Sequence, residues 1–177
     1  MRDITKNVLI RLIKEKSVKT GSFKLKSGKE SEFYVDVRQV SLNGYASALI
    51  GELIVDMLFD EVIGVGGMET GSIPVAMSVV HQSGINGFYI RKISKEYGIT
   101  ERVVGLVNLP KGSKVCLVED TTSTGASLLE AIKVATEAGL EVIQCITVVD
   151  RQEGAEELLK QHGFVLECLV TKEELKG

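Results

Sequence analysis

The stretch of this sequence richest in possible chemistry is Glu119-Asp120-Thr121-Thr122-Ser123-Thr124-Gly125-Ala126-Ser127, which follows the apolar run Val115 to Val118. A strand, a small-residue loop and then a helix beginning near Ser127 would form a cradle for an anion. Backbone N–H groups in the loop and at the helix start point at the ligand, and the helix dipole favours negative charge. The hydroxyls of Thr121, Thr122, Ser123, Thr124 and Ser127 can donate to phosphate oxygens, and Gly125 lets the backbone come close. The two carboxylates cannot serve the phosphate. They suit ribose hydroxyls, or a magnesium shell reached through water. The plain alternative is a capped helix with solvated acids, yet two acids and five hydroxyls within nine residues exceed what capping needs. The loop lacks the glycine-lysine-threonine ending of a Walker loop and the GxGxxG dinucleotide pattern.

Other groups add to it. Arg91, Lys92, Lys95 and Arg102 are set among polar residues, with Tyr97 and Gly98 between them. Cations concentrated beside a glycine in an acidic protein suggest an anion lid; the alternative is a linking loop with solvated lysines. Thr70 and Gly71 lie in the glycine-rich stretch 66–72, and Asp150-Arg151 follows another apolar run. His81 and His162 match no motif and read as structural or surface residues.

These residues need a frame. Ile4, Val8, Leu9, Leu12 and Ile13 have helical spacing. Extended pieces around Phe23 to Lys26 and Phe33 to Asp36 flank Ser27-Gly28-Lys29, which reads as a hairpin turn. A helix is expected over 44–59. Strands are expected over 61–65, 87–90, 115–118, 142–149 and 164–170, with a further one within 103–109. Helices are expected over 73–82, 127–138 and 153–162. Alternating strands and helices predict an α/β protein with a parallel sheet of about five strands covered on both faces. Ligands in such sheets sit at the carboxyl ends of strands, which selects the loops 66–72, 91–102 and 119–127 and the turn after Val149.

The 177 residues fit one domain over 1–177, and 44% hydrophobic with 25% charged residues is an ordinary globular composition. A net charge of −3 and a pI near 5.5 argue against a nucleic-acid binder. Arg2 and Asp3 follow Met1 directly, so no secretory leader is expected, and no apolar run approaches the roughly 20 residues of a membrane span. Cys116, Cys145 and Cys168 lie in apolar runs without CxxC pairing and read as buried, reduced thiols of a cytoplasmic protein.

The frame Val118 to Ser127 resembles the diphosphate-ribose motif of type I phosphoribosyltransferases, whose donor is 5-phosphoribosyl 1-diphosphate (PRPP). Four further stretches narrow the resemblance to orotate phosphoribosyltransferases. Phe23 to Lys29 with Ser31, Phe33 and Tyr34 is similar to their N-terminal signature. Glu69 to Pro74 is similar to their pyrophosphate-side loop, Arg91 to Gly98 to their mobile catalytic loop, and Asp150 to Ala155 to their signature after the next strand. The five occur in order over roughly residues 20 to 165. Tyr97 stands where the family usually has histidine, Thr121 where an apolar residue is usual, and Glu32 in place of a frequent proline.

The resemblance implies the type I phosphoribosyltransferase fold with a small N-terminal hood, mainly residues 1–40. It implies a pentosyltransferase that moves ribose 5-phosphate from PRPP to orotate, giving orotidine 5′-monophosphate and pyrophosphate in pyrimidine synthesis. Lys95, Asp120 and Glu119 would be catalytic. Lys26, Thr70, Gly71, Arg91, Lys92, Lys95, Tyr97 and residues 119–127, Ala126 among them, would bind PRPP. Lys26, Phe33, Tyr34, Ser123 and Arg151 would address orotate, whose flat carboxylate suits an arginine fork. The alternatives are an ion pair of Arg151 with Glu153 and core packing for one of Phe33 and Tyr34, since strand neighbours face opposite ways. Mg2+ would ride mainly on PRPP, with no dedicated protein cage. The family implies a homodimer whose 91–102 loop reaches the neighbouring site. Transfer to another, purine base and a PRPP-sensing regulator without catalysis are alternatives of the same fold. A binding module for some other phosphate leaves 20–36 and 150–155 unexplained.

Overall fold

The structure is a computed structural model and describes residues 2–24, 30–93 and 101–176. Two sheets are present. Helix α1 (Arg2–Lys16) leads into β1 (Val18–Lys24), which pairs antiparallel with β2 (Glu30–Val35) from Val18↔Val35 to Lys24↔Glu30. The expected hairpin pairing is therefore present, and its turn lies outside the described residues. Helix α1 buries Leu9 and Ile13, whereas Ile4 is exposed. A short helix, α2 (Arg38–Ser41), follows and was not foreseen.

Helix α3 (Gly44–Val55) opens on Asn43, whose side chain accepts the Ala46 N–H at 3.1 Å. It stops short of the expected Phe59 because the Gln144 side chain takes over the next backbone groups. Gln144 Nε2 donates to the Met57 carbonyl at 2.7 Å, and its Oε1 accepts the Phe59 N–H at 3.1 Å. The chain then builds β3 (Gly64–Met68), α4 (Ser72–Ser83), β4 (Asn86–Ile90), β5 (Val103–Val104), a 3-10 turn (Leu106–Asn108), β6 (Lys114–Thr122), α5 (Ala126–Glu137), β7 (Glu141–Asp150), α6 (Ala155–Gln161), β8 (Leu166–Thr171) and α7 (Lys172–Lys176).

The larger sheet has the order β5-β4-β3-β6-β7-β8. Five strands run parallel, and β5 adds an antiparallel edge through Tyr89↔Val104 and Ile90↔Val103. The sheet is thus mixed and six-stranded rather than purely parallel. The strand expected within 103–109 is only two residues long, because Gly105 turns the chain with φ of 108° into the 3-10 turn.

Both faces of the sheet are covered. Cys116 and Val118 of β6 pack into a cluster with Leu9, Ile50, Ile54 and Val79 from α1, α3 and α4. Val115 and Leu117, pointing the other way, pack with Leu128, Ile132 and Leu159 from α5 and α6. Coverage on both sides is why the apolar run in β6 is continuous rather than alternating. Two expected boundaries shift at the carboxyl ends. The stretch expected as a loop from Gly66 is strand through Met68, buried along its length between β4 and β6. Strand β6 likewise continues past Val118, because β7 offers ladder partners to Thr121 and Thr122 in Val149 and Asp150.

Candidate functional site

Those extensions bring the polar residues to one end of the sheet. A cavity of about 730 Å³ opens there, walled by the ends of β2, β3, β4, β6 and β7 and the loops that follow them. Its lining includes Glu119, Asp120, Thr121, Ser123, Thr124 and Ser127 from the β6 segment, Thr70 and Gly71 from the β3 loop, Lys92 after β4, Tyr34 on β2 and Arg151 after β7. A smaller neighbouring cavity of about 160 Å³ is walled by 121–128 and Glu119, and takes in Thr122, Gly125 and Ala126.

Strand β6 sets the two acids at different depths. Glu119 is 8% exposed, whereas Asp120 is half-buried. Burial, and then the neighbouring Asp120 carboxylate, push the Glu119 carboxyl up to about 8. Asp120 Oδ1 accepts the Thr121 N–H at 2.8 Å. Gly71 packs so closely on this carboxylate that a Cβ at position 71 would collide with Asp120 Oδ2. That approach couples the β3 loop to the acids. The Glu69–Thr70 peptide of the same loop is cis. The Lys92 N–H donates to Glu69 Oε1 at 3.1 Å, which ties the β4 end to this loop.

The loop after β6 closes on Gly125, which caps α5 with φ of 81°. The expected reason for a glycine was close approach to a ligand. The structure gives a different one: a left-handed turn packed against Ala155, whose Cα would lie 3.1 Å from an added Cβ. Helix α5 starts at Ala126 without a side-chain cap, so its first N–H groups are left for the small cavity or solvent. Thr122 Oγ1, buried beside that cavity, has no hydrogen-bond partner among the described residues.

Arg151 is 7% exposed, and its N–H donates to the Thr122 carbonyl at 2.8 Å, which joins the base of this turn to β6. Arg151 Nη2 stands 2.9 Å from Glu153 Oε1, an ion pair without hydrogen-bond alignment, and neither Nη2 nor Nε has a hydrogen-bond partner among the described residues. Arg151 thus pairs with Glu153 and also lines the cavity.

Some expected residues do not line it. Phe33 is buried in the core with α1 and α3, as strand alternation requires once Tyr34 faces the cavity. A direct contact of the Phe33 side chain with ligand is thereby corrected. Arg91 is half-buried and does not line either cavity; its N–H donates to the Arg102 carbonyl at 2.8 Å. Arg102 is engaged structurally, donating to the carbonyls of Arg91 and Lys92 and pairing with Glu130 at 2.7 Å. Lys26, Lys95 and Tyr97 lie outside the described residues. His162 is exposed at the end of α6, with Nδ1 2.9 Å from the Leu158 carbonyl. Cys116 and Cys145 are buried, and Cys168 is only half-buried.

Five lining residues are not among the expected site residues: Val35, Asp36, Arg38, Glu69 and Glu153. Arg38 Nε and Nη2 grip Asp36 at 2.7 and 3.2 Å, and Gln39 adds a third bond at 3.2 Å. The hydrogen bond from Arg38 holds the Asp36 carboxyl below its usual range. The sequence signal was present in Asp36-Val37-Arg38, a charged pair directly after Phe33-Tyr34-Val35 at the end of β2.

A largely parallel sheet with paired acids and a hydroxyl-rich loop at its carboxyl edge is the arrangement expected of a phosphoribosyltransferase, and the family described as phosphoribosyl transferase domain matches residues 44–174. The chain is 42% identical over 170 residues to orotate phosphoribosyltransferase of Corynebacterium glutamicum, covering 94% of this chain and 91% of that one. It is 40% identical over 175 residues to the enzyme of the same name from Methanocaldococcus jannaschii, covering 97% of each. The crystal structure of Mycobacterium tuberculosis orotate phosphoribosyltransferase in complex with PRPP superposes with a TM-score of 0.82 at 33% identity, covering 98% of this chain and 99% of that one. The chain belongs to the orotate phosphoribosyltransferase family.

Proposed function

We propose that this protein transfers the 5-phosphoribosyl group of PRPP to a ring nitrogen of orotate, in pyrimidine nucleotide synthesis. The C1–oxygen bond to pyrophosphate breaks, the C1–nitrogen bond forms, and orotate gives up its ring proton. The observation that carries the reading is one cavity joining the Glu119-Asp120 pair and the 121–127 cradle to a buried arginine with an unpartnered Nε.

In this reading Asp120 and Glu119 hold the ribose hydroxyls and steady the oxocarbenium-like centre. The backbone and hydroxyls of 121–127 hold the 5′-phosphate. Thr70, Gly71 and Lys92 face the pyrophosphate, where developing charge rewards fixed cations and donors. Lys95, Tyr97 and Arg91 belong to the same side by resemblance, and Lys26 to the base and PRPP. Tyr34 forms a wall for the flat base, and Arg151 meets its carboxylate.

Mg2+ would arrive on the oxygens of PRPP and neutralise part of the pyrophosphate charge. The Glu119-Asp120 pair fits a water-mediated contact with such an ion, and among the described residues no group of three or more His, Cys, Asp or Glu is arranged to hold one. We place the enzyme in the cytoplasm as a homodimer, with the 91–102 segment reaching the neighbouring cavity. Ile93, 80% exposed where that segment begins, is an apolar side chain a partner would cover. Among the described residues no helix is long and apolar enough to cross a membrane.

The test is turnover of orotate by the purified protein with PRPP and Mg2+, followed by loss of orotate absorbance. Turnover is expected. A folded protein that leaves orotate unchanged and consumes hypoxanthine or adenine would move the assignment to a purine base. Tight PRPP binding with no pyrophosphate release on any base would make it a sensor.

A further inference from the structure

The wall that carries Arg151 is fastened to the last helix of the chain. Gln152, the residue after Arg151, has a left-handed backbone with φ of 54°, alone in this among the described non-glycine residues. Its N–H donates to Asp150 Oδ1 at 2.9 Å, and its side-chain oxygen accepts the Glu173 N–H of α7 at 3.2 Å. The next residue, Glu153, makes the second link. Its Oε1 is shared between Arg151 Nη2 at 2.9 Å and Lys172 Nζ at 3.5 Å. Helix α7 is itself anchored to α1 by Lys6 and Glu174 at 2.8 Å.

The charge balance of this triad has a consequence for an anionic acceptor. An arginine held by one carboxylate is neutral as a pair, and the carboxylate also lines the cavity. Such a pair would repel an incoming carboxylate almost as much as it attracts it. Lys172 draws on the same oxygen and brings the triad to a net charge of +1. We propose that Lys172 is a positioning and specificity-determining residue, which offsets Glu153 so that Arg151 presents net positive charge to the acceptor base. The inference rests on the reading of Arg151 as the partner of orotate's carboxylate.

Steady-state kinetics of wild type, Lys172→Met, Lys172→Arg and the double variant Lys172→Met/Glu153→Gln test it. Lys172→Met should raise the orotate KM about threefold to fivefold, the size of a partly exposed ion-pair effect, with the PRPP KM within about twofold of wild type. Lys172→Arg should restore the wild-type value. The double variant also restores a triad charge of +1, so its orotate KM should fall back toward wild type. A purely structural role would instead make the two losses add. An unchanged orotate KM in Lys172→Met, equal rises in both KM values, or additive losses in the double variant would overturn the proposal. Wild-type protein that does not turn over orotate would overturn the functional reading, and this inference with it. Circular dichroism of each variant separates a charge effect from misfolding, and Lys172→Arg keeps the test sharp if Lys172→Met is unstable.

Discussion

Glu119→Gln should make the ligand-free protein more stable at neutral pH while impairing its use of PRPP. Glu119 is 8% exposed, and burial together with the Asp120 carboxylate lifts its carboxyl from an ordinary 4.5 to about 8. Between those pH values the folded state holds a proton that the unfolded state has released. Stability therefore falls as pH rises from about 4.5 to about 8, and is flat on either side. At about 1.4 kcal/mol per pH unit, the step from pH 5 to pH 7 costs the native state on the order of 3 kcal/mol. Glutamine fills nearly the same volume and has no proton to release. The assay is urea unfolding of both proteins at pH 5, 6 and 7 without ligand at fixed ionic strength. Subtracting the two curves cancels every other titrating group that the substitution leaves alone. The variant's advantage should grow by roughly 3 kcal/mol across that range. Parallel stability curves would show that Glu119 ionises normally in the fold, and would refute the argument from burial. The kinetic loss should grow as pH rises toward about 8, where Glu119 becomes a charged acceptor for the ribose hydroxyls that glutamine cannot supply. Stability gained at the cost of activity is expected where a site holds an acid against its solvation.

Two further substitutions test other parts of the site. Gly71→Ala should lower kcat/KM for PRPP by about 10²-fold, because the new Cβ displaces the Asp120 carboxylate from its working position; melting and kinetics together check this, and an unaltered kcat/KM would refute the contact. Lys95→Ala should cut turnover on the order of 10²-fold with the circular dichroism spectrum intact, as expected for loss of a cation at the leaving group; an unchanged rate would show that the catalytic lysine lies elsewhere.

The elements that could be read from the sequence are those whose burial leaves a local trace. Val115 to Val118 betray a strand covered on both faces, and the hydroxyl run after it marks a loop that lines the cavities. What escaped reading depends on partners distant in the chain. Strand β6 runs on through Glu119 to Thr122 because β7 is long enough to pair with it. Helix α3 ends early because Gln144, 87 residues beyond Met57, takes up its backbone. Of Phe33 and Tyr34, alternation says that only one faces the cavity, but which one is decided by the packing of α1 and α3 against β2. Asp36 and Arg38 looked like the end of a strand, and only the placement of α2 beside the acids of β6 makes them cavity wall.

That wall poses a question of charge. The described lining carries the carboxyl groups of Asp36, Glu69, Glu119, Asp120 and Glu153 against the cations Arg38, Lys92 and Arg151, although the proposed ligand is a polyanion. A simple count would make the cavity repulsive. The contacts resolve it, because most of these acids are already committed. Asp36 is gripped by Arg38, and Glu153 is shared by Arg151 and Lys172. Glu69 accepts the Lys92 backbone N–H, and burial beside Asp120 disfavours the charged form of Glu119. These acids orient cations and backbone donors rather than confront the ligand, and a cation so held loses less freedom when the ligand arrives. Asp120, with Gly71 pressed against it, is the acid left most open to a sugar. In the proposed reading the α5 N-terminus and the loop hydroxyls would meet the phosphate with uncharged donors, which add attraction without another buried cation to stabilise.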